Sequence, residues 1–287
     1  MAIIQTENLS YVYSEGTPFR KTAVDNINIS IEEGEFVGII GHTGSGKSTL
    51  VQHLNGLLKP TSGKVLFEGK DINSSKEFAR KVRFNVGLCF QYPEYQLFES
   101  TVYRDIAFGP KNMGLSEKEI EEHVLRAADF VGLKSEMLKK SPFDLSGGEK
   151  RRVAIAGVIA MQPKVLILDE PTAGLDPKGR DTISDMIDNY RKSTGSTVIV
   201  VSHSMEDVAK NASKVLVMNR GKVEFFTGVK EVFSNYERLI EIGLNVPQIT
   251  GIFIDLKSKG YNVRTDIYSV DEAKAELVRL FKEKGAV

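Results

Sequence analysis

Apolar positions along the chain fall into two periods, and the alternation between them predicts the architecture. "INISI" (Ile27 to Ile31) alternates apolar and polar residues and predicts a strand ending at the turn "EEGE". "FVGII" (Phe36 to Ile40) is a short run without polar residues, the pattern of a strand covered on both faces. "STLVQHLNGLL" follows with helical spacing, and "KVLF" and "VGLCF" predict further strands. From about residue 95 to 161 the character is helical. Ser116 to Glu119 ("SEKE") form a capping box before "IEEHVLRAADFVGL". Strands and helices then alternate: "KVLILD", a helix from Pro177 to about Lys192, "TVIVVSH", a helix after Ser204, and "KVLVM". This order predicts a mostly parallel α/β sheet interrupted by a helical insert. Beyond about Val229 the alternation stops, and the tail predicts three short helices around "NVP" and "KSKGYNV".

Composition narrows the picture only a little. The 287 residues suffice for one large domain with a small appendix. With 38 basic and 38 acidic residues there is no basic field to displace counterions, so nucleic acid is not an expected partner. The lone Cys89 excludes a disulfide framework and a four-cysteine zinc site within one chain. The N-terminus lacks the pattern of a signal peptide. No apolar run approaches the ~20 residues needed to span a bilayer, so any membrane role is expected to come through a partner, at the cytoplasmic face.

"GHTGSGKST" (Gly41, His42, Thr43, Gly44, Ser45, Gly46, Lys47, Ser48, Thr49) carries the first chemistry. It matches G-x-x-x-x-G-K-[ST] with a covered strand before it and a helix after it. Glycines let successive backbone N–H groups turn toward phosphate oxygens, and the helix N-terminus adds partial positive charge. Lys47 is expected to reach the β- and γ-phosphates, and the Ser48 hydroxyl to ligate Mg²⁺.

Three later strand ends add to it. Asp169 closes "KVLILD" at the carboxyl edge of the sheet, where α/β proteins bind ligands, and is a second expected Mg²⁺ contact. Glu170 comes next, and Pro171 after it biases Glu170 toward extended backbone, a placement that suits a base for attacking water. Gln91, after "VGLCF", reads as a Mg²⁺ or water contact, and His203, after "TVIVVS", as a γ-phosphate contact.

"LSGGEKRR" (145–152) is a second glycine-rich helix start. Ser146 and Glu149 make a capping box, but Gly147 and Gly148 in the first turn each cost ~1 kcal/mol against alanine. A helix start stripped of side chains exposes N–H groups to a phosphate. The helical insert would hold this start away from the chain's own phosphate loop, so the expected phosphate is that of a second subunit. Two chains packed head to tail would form two composite sites.

In combination and order, these motifs resemble the ATP-binding cassette (ABC) ATPases over roughly residues 1–228: Walker A (41–49), Q-loop (Gln91), signature (145–149), Walker B (Asp169, Glu170), D-loop (Asp176) and H-loop (His203). The resemblance implies an α/β fold: a P-loop NTPase core, an antiparallel β subdomain, an inserted helical subdomain (about 95–161) and a small, mainly helical extension (229–287) expected to help dimerisation. It also implies an aromatic stacked on adenine. Tyr13 occupies that place, with Tyr11 two residues away as the alternative. Glu149 departs from the family's usual glutamine, and activity is expected to survive the change.

Within the family, "FQYPEYQLFESTVYRDIAFGP" (90–110), "LSGGEKRRVAIAG" (145–157) and the tail resemble the ATPases of energy-coupling-factor (ECF) importers of vitamins and transition-metal ions. That resemblance implies Mg-ATP hydrolysis by a homo- or heterodimer of cassettes. The pair would work beneath a transmembrane coupling protein and a membrane substrate-binding subunit. The segment after Gln91 combines aromatics with Glu94 and Glu99, a groove with apolar walls and an acidic floor, and Glu94, more than Glu99, is then expected to receive an arginine of the coupling protein. ABC ATPases of DNA repair, or ribosome-associated ABC factors, are the alternatives. The single cassette, the zero net charge and the lack of a sustained heptad disfavour both.

Overall fold

The computed structural model describes residues 1–283. In chain order the strands and helices are β1 (Ala2–Tyr13), β2 (Lys21–Glu32), β3 (Phe36–Ile40), α1 (Lys47–Leu54), β4 (Ser62–Phe67), β5 (Lys70–Asp71), α2 (Lys76–Asn85), β6 (Val86–Cys89), α3 (Val102–Met113), α4 (Glu117–Phe130) and α5 (Gly147–Ile159). There follow β7 (Val165–Asp169), α6 (Pro177–Thr194), β8 (Thr197–Val201), α7 (Met205–Asn211), β9 (Lys214–Asn219), β10 (Lys222–Gly228), α8 (Val229–Ser234), α9 (Tyr236–Glu241), α10 (Gln248–Ser258) and α11 (Val270–Glu283).

Two sheets organise these elements. The larger runs β10-β9-β3-β8-β7-β6, parallel except for β10, which pairs antiparallel with β9. The smaller, β2-β1-β4-β5, is antiparallel. Side-chain alternation explains the layering. Leu166, Leu168, Val198 and Val200 face a core shared with α3, α4, α5 and α6. Val165, Ile167, Ile199 and Val201 face the opposite core, shared with β1, β2 and α1. β3, β7 and β8 are buried along their whole length, as their mainly apolar runs predict.

Both predicted capping boxes are present, at Ser116–Glu119 on α4 and at Ser146–Glu149 on α5. They start two of the insert's helices, α4 and α5, where the sequence places them. α2 is not predicted by periodicity, because only Val82 of its ten residues is buried; Ser75 starts it by accepting from the Phe78 N–H at 3.0 Å.

Among the described residues the tail holds four helices rather than the three expected, and its first half packs on the cassette. Val232 and Phe233 of α8, Leu239 of α9 and Leu244 share a buried cluster with Ile40 of β3 and with Val215 and Val217 of β9. Only α10, α11 and the segment between them form a small core of their own, around Phe253, Val263, Ile267, Ala273 and Leu280. The boundary at 229 therefore falls inside a packed core. The predicted extension's last four residues, 284–287, lie outside the described residues.

Candidate active site

The carboxyl edge of the large sheet gathers the candidate residues. Because β3, β8, β7 and β6 lie side by side and parallel, the segments after them meet at one edge. β3 delivers the phosphate loop, β8 delivers His203, β7 ends in Asp169 with Glu170 directly after it, and β6 delivers Gln91.

The loop turns tightly into α1. Gly46 has φ 103°, in the left-handed region, and a Cβ there would run into the Ala23 carbonyl. Lys47 is buried and folds back over the loop, its Nζ donating to the Gly41 carbonyl at 2.7 Å and the His42 carbonyl at 3.1 Å. Burial holds its pKa down, and the charges of Glu170 and Asp169 partly restore it. The Ser45 hydroxyl is buried and has no hydrogen-bond partner among the described residues. The mouth of the loop is a cavity of about 170 Å³ lined by Tyr13, Lys21, Ala23, Gly44, Gly46, Lys47, Ser48 and Thr49. Tyr13 is 40% exposed there, its hydroxyl 3.3 Å from Thr49 Oγ1. Tyr11 packs edge-on against His53 and adjoins the β1–β2 core, so of the two tyrosines only Tyr13 faces the cavity.

The carboxylates have distinct settings. Asp169 is buried, and burial pushes its pKa up, against the pull of a hydrogen bond from Ser48. A desolvated carboxylate beside a hydroxyl is a site that gains from a cation. Among the described residues no group of three or more His, Cys, Asp or Glu could hold a metal. Ser48 Oγ, Asp169 and the Gln91 amide are instead a sparse set of hard oxygen donors. That set fits Mg²⁺, which takes much of its octahedron from phosphates and water.

Glu170 receives two groups. Gln91 Nε2 donates to its Oε2 at 3.1 Å, and His203 Nε2 lies 2.8 Å from its Oε1. Its backbone is not extended as the following proline predicts: φ is 53°. Pro171 disfavours the right-handed helical region but leaves the left-handed one open. Two backbone bonds fix that choice, Glu170 N–H to the Val201 carbonyl at 2.9 Å and Ala173 N–H to the Glu170 carbonyl at 3.1 Å. Glu170, His203, Ser202, Ser204 and Arg180 line a second cavity of about 290 Å³.

The signature residues line neither cavity. Ser146 Oγ and N–H both lie on Glu149 Oε2, at 2.7 and 2.8 Å, and this holds the Glu149 carboxyl below its usual range. A Cβ on Gly147 or Gly148 would meet nothing within 4 Å, and neither residue has a positive φ. The chain's own packing therefore does not demand glycine at either position. Asp176 caps α6, accepting from the Gly179 N–H at 2.9 Å.

Glu94 departs most from expectation. It is not an open acidic floor for an incoming arginine. Arg151 of α5 grips it in a bidentate fork, Nε to Oε2 at 3.0 Å and Nη2 to Oε1 at 2.7 Å. Burial raises the Glu94 pKa, but the Arg151 bonds outweigh it and the net shift is downward. Arg151 itself escapes motif reasoning. The available signal is its phase: residues 151, 155 and 159 lie on one helical face, and all three are buried.

Fold and site together define a P-loop NTPase whose glycine-rich second helix start stands apart from its own phosphate loop. Comparison with known proteins gives the particular family. Residues 24–173 match the family description "ABC transporter". The chain is 54% identical to the energy-coupling factor transporter ATP-binding protein EcfA2 of Caldanaerobacter subterraneus, over 97% of this chain and 98% of that one. It is 55% identical to EcfA2 of Clostridium perfringens, over 98% and 99%. Among solved structures it resembles cbiO1 of Clostridium perfringens, part of the ABC transporter complex cbiONQ (42% identity, TM-score 0.75, 88% of this chain and 99% of that one). It also resembles an ATP-binding cassette solved as a dimer in a post-hydrolysis state with ADP and Pi (28% identity, TM-score 0.71, 79% and 98%). The chain belongs to the ABC transporter family, in its group of energy-coupling factor transporter ATP-binding proteins, and is an ABC-type ATPase.

Proposed function

We propose that this chain hydrolyses Mg-ATP at a head-to-tail interface between two cassettes and drives an ECF importer for a vitamin or transition-metal ion. The observation that carries the composite site is the pair of unobstructed signature glycines. They weaken their own helix, nothing among the described residues crowds them, and they line neither the phosphate-loop cavity nor the one beside Glu170. Their N–H groups suit a phosphate brought by another subunit.

The nucleotide's phosphates would replace the Gly41 and His42 carbonyls as partners of Lys47. Tyr13, exposed at the cavity mouth, would stack on the base. Ser48, Asp169 and Gln91 would hold Mg²⁺, which supplies neutralisation of phosphate charge when bound. Glu170, contacted by Gln91 and His203, would orient and deprotonate the attacking water, with His203 beside it on the γ-phosphate side.

Membrane partners are supported by a second feature. An apolar groove of about 330 Å³ lies between α3 and α5, with Leu97, Phe98, Phe108, Val153 and Met161 on its walls. Phe98 is 59% exposed. The groove suits a short cytoplasmic helix of a transmembrane coupling protein, with a separate membrane subunit binding the cargo. Among the described residues no helix is long and apolar enough to cross a membrane, so attachment would be peripheral, at the cytoplasmic face.

The test is Gly148→Asp in the complex assembled with its membrane subunits. The added side chain points into open space, so the isolated chain should bind ATP with unchanged affinity while hydrolysis and uptake by the complex are lost. Normal turnover by the variant complex, or weakened ATP binding by the isolated chain, would refute the composite site.

A further inference from the structure

We infer that Arg151 is a positioning residue for hydrolysis, tying the signature helix to the two segments that carry Gln91 and Glu170. Its side chain is 3% exposed, and its guanidinium engages both segments at once. On one side lies Glu94, three residues after Gln91, held by the bidentate fork at 3.0 and 2.7 Å. On the other lie the carbonyls of Ala173 and Pro171, which accept from Nη1 at 2.6 and 3.3 Å. Pro171 directly follows Glu170, and Ala173 closes the turn that sets the left-handed Glu170 backbone. The two segments meet again at their working ends, where Gln91 donates to Glu170 at 3.1 Å. Arg151 sits five residues after Ser146 on the same helix.

The consequence is mechanical. If a phosphate drawn onto the signature shifts the start of α5, Arg151 carries the shift to the chain's own Glu170 and Gln91. A planar guanidinium with four committed donors is suited to this; an ammonium on a flexible stem can hold one side of the fork but not both sides together. Tyr92, whose ring lies 6.0 Å from the guanidinium, flanks the same junction. Arg151 touches no reacting atom in this arrangement. It acts through Glu170, and the inference rests on Glu170 being the hydrolytic carboxylate.

The experiment compares Arg151→Lys and Glu94→Gln, singly and together, in the wild-type and Glu170→Gln backgrounds. ATP affinity is measured on the isolated chain. Single-turnover hydrolysis is measured both on the isolated chain and in the membrane complex. Arg151→Lys should lower the hydrolysis rate at least tenfold with ATP affinity within twofold. Glu94→Gln, isosteric and still an acceptor, should follow the same pattern more mildly. The double variant should be no slower than Arg151→Lys alone, and neither change should slow the Glu170→Gln enzyme further. A structural defect would instead multiply through every background, and that result overturns the inference. So does loss of ATP affinity in step with rate. So does a Glu94→Gln defect confined to the membrane complex, because it would mark Glu94 as a docking residue. Should Arg151→Lys not fold, the Glu94→Gln series carries the same test. Near-normal hydrolysis by Glu170→Gln would remove the assignment of Glu170 and this inference with it, whereas an inactive Glu170→Gln with multiplicative Arg151 effects removes the inference alone.

Discussion

Glu170→Gln separates chemistry from binding more cleanly than any other single change in this site. The substitution is isosteric. Gln91 can rotate its amide to match the new one, and His203 can present either ring nitrogen state, so the contacts at 3.1 and 2.8 Å have replacements. Exchanging charge-assisted for neutral hydrogen bonds at a mostly buried carboxylate costs about 1 kcal/mol. Against this, the change removes a negative charge that pushes the buried Asp169 carboxyl up. The two effects oppose each other, so the thermal midpoint should move by no more than a few degrees. Loss of a general base lowers rate by roughly 10²- to 10⁴-fold, or about 3 to 5 kcal/mol of barrier. The assay is phosphate release by the assembled complex, with ATP binding measured in parallel and chain association followed by size-exclusion chromatography in Mg-ATP. The expected result is retained binding, turnover reduced at least a hundredfold, and a closed dimer that persists while ATP is present. Turnover within threefold of wild type would refute the role given to Glu170.

Other outcomes follow from the same geometry. Lys47→Ala removes a buried cation poised over the loop and should weaken ATP binding by about 10- to 100-fold, read by nucleotide titration. Glu149→Gln keeps an oxygen that can accept from both the Ser146 N–H and hydroxyl, so hydrolysis should stay within a few-fold of wild type. A collapse of turnover would show that the charge itself matters. Stability should respond to acid through Glu94: its folded pKa is depressed, so its contribution is present at neutral pH and lost as pH falls through that lowered value. The gap in thermal midpoint between wild type and Glu94→Gln should therefore close below about pH 4.5, and a gap that widens in acid would contradict the Arg151 pairing.

Much of this molecule is legible from its sequence because its strongest signals are local. A covered strand leading into G-x-x-x-x-G-K-S is readable from adjacent residues, as are the two capping boxes. The parallel order of β3, β8, β7 and β6 then brings Asp169, Glu170, His203 and Gln91 to one edge. What escapes is contact across long separations. Periodicity shows that Arg151 lies on the buried face of α5 but not that Glu94, 57 positions earlier, awaits it. An acidic residue among aromatics reads as a docking site until its internal partner is seen. The proline rule for Glu170 fails for a related reason: it excludes one backbone region, and the choice between those remaining is made by hydrogen bonds to Val201 and Ala173.

The tail shows the same limit and yields the last prediction. Its loss of strand–helix alternation near residue 229 suggests a domain edge, yet α8 and α9 bury Val232, Phe233 and Leu239 against Ile40, Val215 and Val217. Ile40 ends the strand that leads into the phosphate loop, so this cluster lies under the site. Each such side chain contributes roughly 1.5 to 3 kcal/mol when fully buried, and removing three exposes apolar area on β3 and β9 as well. A chain ending at 228 should therefore unfold or aggregate, since total stabilities are only about 5 to 15 kcal/mol. A chain ending at 247 keeps the buried residues of that cluster and loses the separate core around Phe253 and Leu280. It also loses the Lys230–Asp266 ion pair at 2.8 Å and the packing of Tyr268 on Phe233. Val270 and Phe281 of α11 remain substantially exposed in the single chain, which supports contact with the tail of a partner. The shorter truncation should thus stay folded, bind ATP normally and pair more weakly without nucleotide. Circular dichroism, nucleotide titration and sedimentation of the two truncations separate these outcomes. A folded 1–228 chain would refute the shared core, and a 1–247 chain that pairs as tightly as the full chain would refute the dimerising role of α10 and α11.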